Sequence, residues 1–247
     1  MLYRLGYGRL LAVAASICLT LLNLSSACAQ VAIPNTRVVF PAGQKSVSVP
    51  LHNMGESPAL VQLWVSDGEP DQPPEASTAP FVLAPPLVRI EPGQSKHLRI
   101  QQVAAQVPRD AVERLYWLNV LALPPKGDMG DQGQLDFSVR SRYKVLFRPA
   151  GLPRRPVDQA ESVTWRIERV DGARVLVAHN PTPYVLNLGS VDIVSRGNRR
   201  ALDNPHVLPH SMSSIVLPEH VEDAGAIVEF TWIDDEGRLH PARQRLP

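Results

Sequence analysis

Few stretches of this 247-residue chain contain residue types that do chemistry. Its seven histidines are scattered. The one close pair, His206 and His210, is flanked by Pro205 and Pro209, which exclude the helix that would bring an i,i+4 pair onto one metal ion. There is no Gly-x-Ser-x-Gly, P-loop or Gly-x-Gly-x-x-Gly stretch, and Asp234-Asp235-Glu236 before Gly237 reads as a charged hairpin turn. The expectation is a protein that is not an enzyme and needs no metal and no cofactor. What stands out is one strand, Gln134 to Gly151, QLDFSVRSRYKVLFRPAG. Apolar residues alternate there with Arg140, Arg142, Lys144 and Arg148, giving one greasy face and one cationic face.

Two readings of that strand compete. Tyr143, Val145 and Phe147 form an ordinary core-facing set, and Leu135, Phe137 and Val139 can be its continuation. Alternatively, the latter three lie on an exposed edge and belong to another molecule's core, because an apolar edge is an aggregation hazard unless a partner uses it. On charge alone Arg140 and Arg142 are expected to face solvent.

The elements that must position this strand follow from the rest of the chain. Residues 1–29 carry Arg4 and Arg9, an apolar run from Leu10 to Leu22 and a terminal Ala27-Cys28-Ala29, the order of a cleaved secretory signal. The run is short for a membrane span. The full chain has 25 Lys+Arg against 24 Asp+Glu; without Arg4 and Arg9 the balance is 23 against 24, so no global field attracts nucleic acid or an anionic surface. Both cysteines, Cys18 and Cys28, lie in the signal, so the exported chain relies on apolar cores without a disulfide.

The 24 prolines exclude long helices and favour short strands joined by loops. Strand-like segments recur at Thr36–Phe40, Ser46–Leu51, Ala59–Val65, Leu98–Val103, Leu115–Leu121 and Leu135–Phe147, separated by turn signals such as Glu91-Pro92-Gly93. Gly68–Pro80 and Gly127–Gly133 read as loops, and one helical turn is expected near Asp110 to Arg114. Arg148-Pro149-Ala150-Gly151-Leu152-Pro153 ends the long strand. A second series follows at 163–170, 174–179, 185–194, 212–217 and 226–233. The reading is all-β: an immunoglobulin-like sandwich over 30–150 and a second β-sandwich over 151–247.

Five stretches in order resemble one family: Asn35–Phe40, Gly43–Ser46, Pro85-Pro86 with Arg89–Gln94, Glu113–Val120 with Leu123–Lys126, and Lys144–Pro149. They are similar to the periplasmic pilus (fimbrial) assembly chaperones of the chaperone–usher pathway, over essentially the whole mature chain. The resemblance implies two sandwiches set at an angle, a boomerang with a cleft between its arms. It also implies a binding function: the chaperone lends a strand to a pilin subunit that lacks its last one, a known mode of peptide recognition, then delivers it to an outer-membrane usher without ATP.

By the same resemblance, Leu135, Phe137 and Val139 are the donor residues. Arg37 and Lys144 grip the subunit's C-terminal carboxylate, and Glu113, Arg148 and Asp235 form an interdomain ionic cluster. The short link from Leu123 to Leu135 resembles the short-loop branch of the family, which assembles rod-like pili. One extra residue between Pro108-Arg109-Asp110 and Glu113 departs from the family spacing. Free copies are expected to self-associate and hide the apolar edge. The alternative is an exported structural or adhesive surface protein with the same two sandwiches.

Overall fold

A computed structural model describes residues 31–103, 108, 110–123, 137–152, 156, 160–218, 221 and 225–246. Its first nine strands build two facing sheets. One has the order β1 (Val31–Ala32), β3 (Ser46–Asn53), β7 (Ser95–Gln102), β5 (Phe81–Ala84). The other has the order β2 (Arg37–Pro41), β9 (Val139–Arg148), β8 (Arg114–Leu123), β4 (Ala59–Ser66), β6 (Leu87–Ile90). Alternation along the strands supplies the shared core: Phe40, Leu98, Ile100, Leu118, Val145 and Phe147 have no accessible surface. Phe81 sits amid this core, its ring 5.1 Å from Phe40 and 5.2 Å from Tyr116. Burying each such ring is worth about 1.5–3 kcal/mol, which fixes β2 and β9 firmly on the sandwich.

The pairing of β2 with β9 brings two of the chain's cations together. The two strands run parallel, with Arg37 opposite Lys144 and Phe40 opposite Phe147. β9 also pairs antiparallel with β8, from Val139 to Phe147. Among the described residues, β9 is thus covered on one edge along nearly its whole length and on the other only from Lys144 to Arg148.

The remaining strands form the second unit around Trp165, Leu176 and Ile193. One sheet has the order β10 (Thr164–Val170), β11 (Ala173–Asn180), β15 (Ser211–Val216). The other runs β13 (Asn198–Leu202), β12 (Leu186–Ser195), β16 (Ile227–Ile233), β17 (Leu239–Arg245), with β14 (His206–Val207) also on β12. A tight turn joins β16 to β17, closed by a bond from the Gly237 amide to the Asp234 carbonyl (3.1 Å). Gly237 has φ +86°, which a side chain would strain.

The expected helical turn near Asp110 to Arg114 is not formed: residues 110–112 are bends and β8 begins at Arg114. The reason is tertiary. The Glu113 amide donates to the Pro183 carbonyl (2.8 Å) of the second unit, which draws the backbone out of any helical path. The loop at Gly68–Pro80 contains one short 3₁₀ turn, Pro74–Ala76. Besides the short β1, β5, β6 and β14, the strands β13 and β17 were not expected from the sequence. Both are sheet edges with polar or charged faces, so the apolar alternation that marks a strand is weak in them. No helix among the described residues is long and apolar enough to cross a membrane.

Candidate subunit-binding site between the two units

The parallel register sets Arg37 and Lys144 side by side on neighbouring strands, where their backbones are about 4.8 Å apart. Both reach across to the second unit, and both find only neutral acceptors there. Arg37, 5 % exposed, donates through Nη1 to the carbonyls of Ile233 (2.9 Å) and Asp234 (3.0 Å), and through Nη2 to Thr36 Oγ1 (3.1 Å). Its Nε is buried with no hydrogen-bond partner. Lys144 donates to Asn187 Oδ1 (2.8 Å). Burial, and then the charge of Arg37, draw the Lys144 ammonium down to about 8. Burial also lowers Arg37, against the opposing pull of Asp235 and Asp234. Two half-compensated cations at one spot form a candidate receptor for an anion.

Four residues along β9, Arg148 is in the opposite condition. Its Nε donates to Glu113 Oε1 (2.8 Å), and its two terminal nitrogens grip Asp235 (2.6 and 2.8 Å). The other oxygen of Glu113 accepts from the Val185 amide (2.9 Å). Burial raises Glu113, while Arg148 and that amide pull it back. Burial alone would lower Arg148, but its bonds and charges with Asp235 and Glu113 raise it above the ordinary guanidinium value. The structure therefore brings Glu113, Arg148 and Asp235 into one cluster that ties β8 and β9 to β16 and β12.

Among the described residues, the leading end of β9 and the two residues before it are exposed. Phe137 is 71 % exposed and Val139 44 %. Leu135 lies outside the described residues, as do residues 124–134 of the link from Leu123. Tyr143 turns inward beside Val145 and Phe147, and its hydroxyl accepts from the Ile33 amide (3.2 Å). Arg140 remains exposed as expected, but Arg142 does not. It is partly buried, its guanidinium 4.5 Å from the centre of the Trp117 ring. Sequence reasoning also missed Asn187 and the carbonyls of Ile233 and Asp234. A backbone carbonyl carries no residue-type signal, and Asn187 is one of several polar residues in its strand, with Ser190, Asp192 and Ser195.

His206 lies on β14 with its ring 5.8 Å from Trp117, and burial followed by the charge of Lys144 lowers its pKa. Among the described residues no group of three His, Cys, Asp or Glu is placed to hold a metal ion.

Two sandwiches, an exposed apolar strand end and paired cations between the units suit a protein that binds other chains. Comparison with known proteins specifies the class. Residues 30–153 match the family model for the pili and flagellar-assembly chaperone PapD N-terminal domain, and residues 158–244 that for the pili assembly chaperone PapD C-terminal domain. The chain is 35 % identical over 219 residues to the chaperone protein FimB/FhaD of Bordetella pertussis, covering 86 % of each. It is 35 % identical over 191 residues to the probable fimbrial chaperone YadV of Escherichia coli, covering 76 % of this chain and 77 % of YadV. The crystal structure of YadV superposes with a TM-score of 0.75 at 31 % identity, over 88 % of this chain and all of that one. The SafB chaperone of Salmonella enterica, solved in complex with the SafA pilin, gives 0.73 at 29 %, over 90 % and 99 %.

The chain belongs to the PapD family of pilus assembly chaperones. It is a chaperone of pilus assembly, in a family that does not catalyse reactions, and the alternative of an adhesive surface component is set aside.

Proposed function

We propose that this chaperone works in the periplasm, captures pilin subunits by completing their sandwich with the leading end of β9, and passes them to an outer-membrane usher. The observation that carries the reading is the half-covered edge of β9. β2 begins at Arg37, opposite Lys144, and among the described residues no strand pairs with the same edge from Val139 to Tyr143. A strand added there in line with β2, running parallel to β9, ends where β2 begins. Its terminal carboxylate then meets Arg37 and Lys144.

The energetics favour that arrangement. Leu135, Phe137 and Val139 supply about 1.5–3 kcal/mol each when buried in a subunit's open core. Charge-assisted bonds to the carboxylate add about 1.5–3 kcal/mol each. The anchor fixes register, and a one-residue slip would turn the wrong face inward. In the same reading residues 1–29 are the cleaved signal, 30–150 and 151–247 the two domains, and Glu113, Arg148 and Asp235 hold their mutual angle. The SafB–SafA complex supports a pilin as the partner. Free copies pair through the exposed Phe137 and Val139 until a subunit arrives.

Co-expression with a pilin subunit tests the proposal. Wild-type chaperone should keep the subunit soluble in the periplasm, and Lys144→Glu should let it aggregate or be degraded. Equal protection by the variant, with its fold intact, would remove the carboxylate anchor.

A further inference from the structure

The outward face of β9 carries more cations than the anchor uses. Arg140, Arg142 and Lys144 alternate along the strand, so they stand in a row about 7 Å apart. Indoles on β8 and β4 lie against all three. The Arg140 guanidinium is 6.0 Å from the Trp64 ring centre, and Arg142 and the Lys144 ammonium are 4.5 and 5.9 Å from Trp117. These contacts hold the row in place but supply no counter-charge.

Anions near the row are few. Arg140 donates to Asp71 (2.8 Å), whose side chain is 96 % exposed on the loop after β4. Among the described residues, Arg142 donates only to a neutral group, the Gly68 carbonyl (3.2 Å), and its Nε is buried with no hydrogen-bond partner. Burial, and then the charge of Arg140, lower the Arg142 pKa, with distant Asp71 and Glu69 opposing. A cation in this state gains from an acid that arrives to pair with it.

The ladder states where that acid must come from. Residues opposite one another on adjacent strands put their side chains on the same face of the sheet. A strand added beside Val139–Tyr143 therefore places every second side chain next to Arg140 and Arg142. Phe137 and Val139 belong to the other face of β9, the one given to the subunit's interior. The side chains that meet the arginines are then those on the subunit's solvent side, where an acidic residue leaves its core undisturbed.

We propose that Arg140 and Arg142 form a cationic track that selects subunits whose last strand bears acidic side chains at alternate, outward-facing positions. The inference rests on the strand-addition reading above. Asp71 occupies the Arg140 end of the track in the free protein and yields to the subunit's acid.

Titration calorimetry of the purified exported protein with short peptides tests it. The peptides end in a free carboxylate, have valine on the inward positions, and carry glutamate, glutamine or lysine at the two positions beside Arg140 and Arg142. Affinity should fall from glutamate to glutamine to lysine, by about three- to tenfold at each step. The double variant Arg140→Glu, Arg142→Glu should reverse the order, and a gain for the lysine peptide cannot come from misfolding. Equal affinity for the three peptides, with every one weakened by amidating its C-terminus, overturns the track and leaves the anchor standing. Binding indifferent to amidation, or no binding by any peptide, overturns the strand-addition reading and the track with it.

Discussion

Lys144 and Arg148 lie four residues apart on one strand, face the same way, and both reach the second domain. Arg148 meets two carboxylates, while Lys144 and its neighbour Arg37 meet an amide oxygen and three oxygens of carbonyl or hydroxyl type. The difference separates structure from function. A buried cation paired with anions holds two domains in place, and a buried cation left with neutral acceptors retains its affinity for an anion. Arg37 and Lys144 also repel each other, which lowers Lys144 further. Under the proposed function, the free protein holds this site in a state that a single carboxylate relieves.

The sharpest way to break the contrast is to remove the satisfied cation. Arg148→Ala leaves Glu113, 2 % exposed, without its counter-charge, and should lower stability to urea by about 3–5 kcal/mol. If the loss is under about 1 kcal/mol, the cluster is not what joins the domains. Next in size is the unsatisfied cation. Lys144→Glu should weaken capture of a free C-terminal carboxylate by about 100-fold, measured by titration, and leave the urea midpoint nearly unchanged. Its two effects are the reverse of those of Arg148→Ala.

A pH titration separates the same two residues without mutation. Lys144 in the folded chain loses its proton near 8, so carboxylate affinity should drop about tenfold from pH 7 to pH 9. The folded value lies below the unfolded one. The unfolded chain therefore binds more protons between them, and this group's contribution to stability rises with pH through that window. Lys144→Arg should abolish the affinity loss. A drop that persists in Lys144→Arg assigns the titration to another group. The smallest effect belongs to Asp235→Asn. Its side chain is about one-third exposed, and the change should cost under about 1 kcal/mol in the same urea assay, because Glu113 still pairs with Arg148. A larger loss would move the weight of the cluster from Glu113 to Asp235.

The sequence alone determined the alternation of β9, the all-β character, the hairpin at Asp234–Gly237 and the family whose motifs name Arg37 and Lys144. These are local facts: strand period, proline and glycine placement, and residue order are written along the chain. The edge strands β13 and β17 escaped it, because a strand with little to bury has little apolar pattern to read. The helical turn before Glu113 failed for a different reason, since that residue's amide and carboxylate are claimed by Pro183 and Val185 some 70 residues away.

The family resemblance names Arg148 for an ionic cluster, and only the tertiary structure decided that Arg142 rests on an indole instead. Arg142 and Arg148 look alike as basic positions on one face of a strand, yet one lies on Trp117 and the other between Glu113 and Asp235. Charge compensation depends on distances of a few ångströms between strands remote in sequence, and no local pattern encodes them.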